Sequence, residues 1–175
     1  MVALLSSYLF DDEPVHLNDF YWRAQDTTQQ FWTLPYVPGK RYGNKPVYVL
    51  TSRKTASAAE EFAYNLKNLQ RAVLIGETTA GGAHPFETYR IHPHFDAIIP
   101  TWRAINPVSG TNWEGTGVIP DIAVPQEDAL KVAQIEAVQK ILENPGGVST
   151  KADKALLKEA QLLIKGLISI EDEGE

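Results

Sequence analysis

Apolar and polar positions change their spacing several times along this chain, and each change predicts an element. Residues 2–10, "VALLSSYLF", predict an amphipathic helix. Residues 14–23, "PVHLNDFYWR", predict an extended segment ending in an aromatic cluster. Residues 24–45 predict mostly loop, because Pro35, Pro38 and Gly39 break any regular pattern. Residues 46–52, "PVYVLTS", form a short β-rich apolar run, the pattern of a buried strand. In residues 57–70, "SAAEEFAYNLKNLQ", Phe62, Leu66 and Leu69 share a helical face with Ala58 and Ala59. Residues 71–77, "RAVLIGE", predict a second buried strand. Strand, helix and strand in succession predict a βαβ unit with a right-handed crossover.

Beyond it, residues 78–85 form a glycine-rich connector, and residues 87–105 predict a hairpin turning near Pro93 and His94. Residues 106–124 predict loop with a short extended end. Two helices close the chain. Leu130, Ala133, Ala137 and Ile141 make a stripe in 127–143, and Leu156, Ala160, Leu163 and Leu167 make another in 150–167. The terminal "EDEGE" predicts a solvated acidic tail.

Composition narrows the partners. A chain of 175 residues is long enough for one domain with a real core. Its net charge of −6 argues against nucleic acid, which wants a basic face. The absence of cysteine excludes disulfides and thiolate metal sites but leaves the compartment open. The apolar start is too short to span a bilayer, and it has neither the basic region nor the cleavage site of a signal peptide. No cofactor or metal is predicted. His92-x-His94 alone is a weak metal signal, and "GETTAGGAH" lacks both the lysine of a P-loop and the spacing of a dinucleotide fingerprint. Gly81 and Gly82 therefore predict a close backbone approach.

The candidate chemistry centres on Ser57, where the first buried strand gives way to a helix. A serine there projects above a sheet, and the N–H of Ala58 at the helix start is a natural oxyanion donor. Ser57-x-x-Glu60 is also a capping box, a commoner use of the same residues. The two uses are compatible. A serine needs a base. His84 follows the second strand, and parallel strand ends on one edge converge. His92 and His94 flank a hairpin turn, and His16 lies in an extended segment. Glu114, beside Trp113 in a glycine-rich loop, is a carboxylate placed to orient a base or simply a surface glutamate.

Taken in order, "VYVLTSRKTASAAEEFAYNLKNLQRAVLIGETTAGGAHP" and "IIPTWRAINPVSGTNWEGTGVIPDIAV" resemble the core of the S41 peptidases, the tail-specific or C-terminal processing proteases. The likeness looks closest to the branch of interphotoreceptor retinoid-binding protein modules and the tricorn core. It covers roughly residues 1–143. It implies an α/β, crotonase-like (ClpP/crotonase) fold of ββα units with C-terminal helices. It divides the chain into a catalytic-core domain over 1–143 and a C-terminal helix with acidic tail over 144–175. The family's serine falls on Ser57 of "SAAE", Ala58 supplies an oxyanion N–H, and the supporting glutamate falls on Glu114 of "EGTGVIPD". The lysine of the serine–lysine branch is replaced by Gly82. The histidine of the tricorn-like branch and the second oxyanion loop would lie upstream of Met1, so the resemblance implies a part of a longer protein, poorly active alone. His84 is the histidine nearest the site, though the family does not give it the role of base.

The resemblance implies a serine peptidase acting on a peptide or protein. It also leaves a second class open, a non-catalytic module binding apolar ligands through Phe20, Tyr21, Trp22, Phe31, Trp32 and Tyr36. A third expectation is self-association through strand edges in the N-terminal half, left unpaired where the family supplies further strands.

Overall fold

The two apolar runs predicted as buried strands do pair in parallel across a helix. The structure, a computed structural model, describes residues 1–143 together with Ala155, Lys158, Gln161 and Leu162. Strand β3 (Tyr48–Thr51) leads through a polar turn into α2 (Ala58–Asn68) and back into β4 (Val73–Gly76). β3 and β4 are parallel, with Tyr48 opposite Val73 and Thr51 opposite Gly76. A two-residue strand, β8 (Ile122–Ala123), pairs in parallel on the far side of β4.

Alternation along β4 divides the core. Leu74 packs with Ala63 of α2, Ala83, Ala104, Trp113 and Val118, whereas its neighbour Ile75 packs with Ala129 and Ala133 of α3 (Ala129–Glu143). The predicted stripe of α3 is therefore rotated: Leu130 and Ile141 are exposed, and Val132 lies against the sheet instead. On α2, Leu66 is fully buried as predicted, but Ala58 and Ala59 are exposed and the buried face carries Glu60 and Asn65. The second predicted C-terminal stripe lies outside the described residues.

The N-terminal half differs most from its reading. Helix α1 (Val2–Ser7) stops three residues short of its predicted end at Phe10. Strand β1 (His16–Trp22) is extended as expected, yet residues 27–32, predicted as loop, form β2 (Thr27–Trp32), antiparallel to β1. The reason is tertiary: "TTQQFW" is polar and mostly exposed, and its backbone is recruited by the β1 edge. The predicted hairpin is β5 (Phe86–His92) with β6 (Phe95–Pro100), turning at Pro93 and His94. Its last stretch separates as β7 (Trp102–Ile105) and pairs with the other edge of β1. Carbonyls between residues 7 and 45 are gathered by two arginines: Arg71 donates to Leu9, Tyr42 and Lys45, and Arg41 to Ser7, Phe10, Leu34 and Pro35. Among the described residues no helix is long and apolar enough to cross a membrane.

Candidate active site

The turn between β3 and α2 is built from short polar side chains that bond their own backbone. Thr55 Oγ1 accepts from the Ser52 N–H at 3.0 Å, and the Thr55 carbonyl accepts from Ala80 at 2.9 Å. The turn is thus tied to the connector after β4 before the helix begins.

Ser57 then takes φ +56° and ψ −125° as the N-cap of α2, outside every broad region open to a residue with a Cβ. This is the strained strand-to-helix turn that lifts a side chain above a sheet. Both parts of the capping box are in place, but only one is tight: the Ser57 N–H donates to Glu60 Oε2 at 2.8 Å. In the other half Ser57 Oγ faces the Glu60 N–H without a bond of full hydrogen-bond geometry. Ala58 N–H, the first of the helix, has no intrahelical acceptor and lies beside it.

Glu60 does far more than its capping motif foretold. Its side chain is fully buried. Oε1 accepts from Thr79 Oγ1 at 2.5 Å and from the Gly81 N–H at 2.6 Å. Oε2 accepts from the Gly82 N–H at 3.0 Å as well as from Ser57. One carboxylate therefore binds the Ser57 turn to the glycine-rich connector through four donors, the arrangement a buried charge requires. Thr79 passes the link on, its Oγ1 accepting from the Val118 N–H at 2.7 Å. The sequence offered the Glu60–Ser57 spacing; nothing local pointed to Thr79, Gly81 and Gly82.

Glu114 grips the same connector from the other side. Its Oε2 accepts from the backbone N–H groups of Ala83 at 2.7 Å and His84 at 3.1 Å. Trp113 Nε1 donates to the Gly82 carbonyl at 3.2 Å, and the Gly115 N–H to the Gly81 carbonyl at 2.8 Å. Gly81, at φ +90°, faces the backbone of 115–117, so the expected close backbone approach is present. Glu114 thus acts on the backbone that carries His84.

A cleft of about 260 Å³ opens here, and Ser57, Ala58, Gly82 and His84 all line it. Trp113 and Phe20 form walls, and Glu61, which the sequence reading passed over, also faces in. Burial pushes the Glu61 carboxyl above its ordinary range, partly offset by the Met1 ammonium and the Asn18 amide. His84 Nδ1 is buried without a hydrogen-bond partner. No hydrogen bond joins Ser57 and His84 among the described residues, and Glu114 contacts the His84 backbone, not its imidazole. His16 bonds Asp19 at 2.6 Å and stacks on Trp32, and His92 and His94 lie together at the hairpin turn. None of the three lines the cleft.

Members of the aromatic set pair off with one another and with their neighbours. Trp22 stacks on Trp102 at 5.0 Å, and Phe20 meets Phe31 edge-on at 5.4 Å. Tyr36 is exposed. Of the set, Phe20 alone lines the Ser57 cleft.

Comparison with known proteins bears on this geometry. The family model described as Peptidase family S41 matches residues 5–124. Mature CPAF is similar in structure, with a TM-score of 0.61 and 16% identity over 83% of this chain and 42% of that one. A lipoprotein from Streptococcus agalactiae gives 0.55 and 20% identity over 78% of this chain and 48% of that one. The photosystem II D1 C-terminal processing protease gives 0.54 and 23% identity over 71% and 31% respectively. At these identities the structural likeness speaks for a mixed α/β fold, and this chain spans less than half of each of the three proteins.

Proposed function

We propose a serine-peptidase role for this chain, which belongs to peptidase family S41. The observation that carries the reading is the backbone of Ser57: a serine at φ +56° on a strand-to-helix turn, lining a cleft that Ala58 and His84 also line. Strain of this kind is held in place by Glu60 and its four donors.

In this reading Ser57 Oγ attacks the carbonyl carbon of a peptide bond, and its proton passes to a base. The carbonyl oxygen becomes an oxyanion beside the Ala58 N–H and the positive end of α2. The intermediate collapses with loss of the amine, and water releases the acyl group by the reverse sequence. His84 is the base supported by position, since it lines the same cleft and its Nδ1 has no hydrogen-bond partner. Glu114 supports the site by fixing the 83–84 backbone. Residues 1–143 form the catalytic-core unit of a crotonase-like fold, and the tricorn-like branch fits because Gly82 stands where the serine–lysine branch has its lysine. The exposed edge of β2 is the place for a second copy to add.

An activated phosphonate tests the nucleophile. The expected result is a single adduct on Ser57 by mass spectrometry, absent from Ser57→Ala. A folded wild-type protein that stays unlabelled, or a label that survives the substitution, overturns the assignment. Loss of labelling rate in His84→Ala with the fold intact supports His84 as base; an unchanged rate removes it from that role.

A further inference from the structure

Glu61 stands one helical turn beyond Ser57 on the same side of α2, its N–H donating to the Ser57 carbonyl at 3.0 Å. Glu61 lines the Ser57 cleft together with three aromatic residues, Phe20, Phe86 and Trp113. Adjacent Glu60 is saturated with donors, but Glu61 is not. No lysine, arginine or histidine is among the groups acting on its carboxyl. Behind it lies Asn18, which shares a face of β1 with Phe20, two residues on. Asn18 is fully buried, and neither its Nδ2 nor its Oδ1 completes a hydrogen bond. The Met1 ammonium offsets part of the cost of burying this carboxyl, but no side-chain cation acts on it at the side of the aromatic cleft.

Resting on the peptidase reading of this cleft, we propose that it takes the cationic side chain of a lysine- or arginine-bearing peptide, with the Glu61 carboxylate as counter-charge. The chemistry of the walls fits that occupant. Aromatic faces attract a cation and cover its aliphatic stem. The ammonium or guanidinium then meets a carboxylate that the Asn18 amide supports from behind. An uncharged side chain of the same length covers the rings but leaves Glu61 desolvated, and an acidic one is repelled. The other titratable group lining the cleft is His84, and the Met1 ammonium acts on Glu61 from outside. Both are cations when protonated and oppose a cationic ligand.

The test uses binding, so it does not depend on turnover. Fluorescein-labelled alanine-based peptides carrying lysine, norleucine or glutamate at one central position are titrated by anisotropy against the full chain bearing Ser57→Ala. Lysine is expected to bind at least about tenfold tighter than norleucine, with glutamate weakest. In Ser57→Ala/Glu61→Gln the lysine advantage should fall to within about twofold, with norleucine affinity unchanged. Equal affinity for lysine and norleucine in the first protein overturns the proposal with no second variant needed. So does a lysine advantage that survives Glu61→Gln, or no binding by any peptide at millimolar concentration. Phosphonate labelling of wild-type Ser57 is scored separately. Labelling without a lysine preference removes this inference and leaves the peptidase reading, whereas a lysine preference without labelling does the reverse.

Discussion

The Ser57 turn and the β5–β6 hairpin are nearly neighbours, since the hairpin starts two residues after His84, yet they are held by different means. Around Ser57, short side chains and backbone are cross-linked by the carboxylates of Glu60 and Glu114, and the bonds connect segments twenty to thirty residues apart. The hairpin is held by its own ladder, by an Arg90–Asp96 ion pair at 2.6 Å and by little else. Every residue of β5 is exposed, with Ile91 at 68% and Ile98 of β6 at 65%. A two-stranded ribbon of this kind is marginal by itself. A strained serine needs surroundings that over-determine its backbone; a ribbon on the surface does not.

The sharpest way to break this contrast is Glu60→Gln. An amide offers one acceptor oxygen where the carboxylate offers two, so at least one pair of buried donors is left without a partner. A loss of about 2–5 kcal/mol is expected from urea unfolding. A shift no larger than that of a hairpin substitution would remove the clamp from the account.

Next comes Gly117→Ala. Gly117 sits at φ +72°, and a Cβ there meets the carbonyl oxygen of Thr79 in the clamped connector. The expected cost is about 1–3 kcal/mol. Gly82→Ala is the control, because its Cβ would meet nothing nearer than Glu60 Oε2 at 3.8 Å and its φ is ordinary. Similar costs at both positions would mean that the strain at Gly117 does not set the cost.

Ser57→Gly should stabilise the protein by about 1 kcal/mol, since glycine adopts this backbone without strain and no tight cap bond from Oγ is lost. Phosphonate labelling should vanish in the same variant. A destabilised Ser57→Gly would show that the hydroxyl does cap α2.

Glu61→Gln sharpens the comparison by pH. The folded carboxyl titrates above its ordinary value of 4.5 because burial disfavours its charge. Its contribution to stability is therefore present below that value and lost as pH rises through the folded pKa. Glu61→Gln should raise the urea midpoint at pH 7, and the gain should shrink as the pH is lowered toward the ordinary carboxylate range. A gain independent of pH would mean that the charge is not the cause. The smallest effects belong to the ribbon: Phe95→Ser and Ile98→Thr should each change stability by no more than about 0.5 kcal/mol.

Much of the central unit was legible in the chain. "VYVLTS" and "AVLIGE" are apolar runs of strand length, and the polar turn between them opens on a capping motif, so β3, α2 and β4 follow from spacing alone. The hairpin turn at Pro93 and His94 was legible for the same reason. The family was legible in the order of "SAAE", the glycine-rich connector and "EGTGVIPD". β2 was not, because "TTQQFW" carries no buried face and becomes a strand through the backbone of β1. Nor was β7, which reads as the end of the hairpin and pairs instead with a strand some eighty residues earlier.

The candidate site divides along the same line. Ser57, Ala58, His84 and Glu114 could be named because each lies in a local motif or next to a predicted strand end. That Glu60 would collect Thr79, Gly81 and Gly82, and that Glu61 would be drawn against Asn18 in the same cleft, was decided only by the tertiary structure. Period and capping are written in residues two to four apart, which share a face of one element. The partners of a buried carboxylate are set by which distant backbone N–H groups the fold brings within hydrogen-bond reach, and the capping motif that marks Glu60 names only one of its four donors.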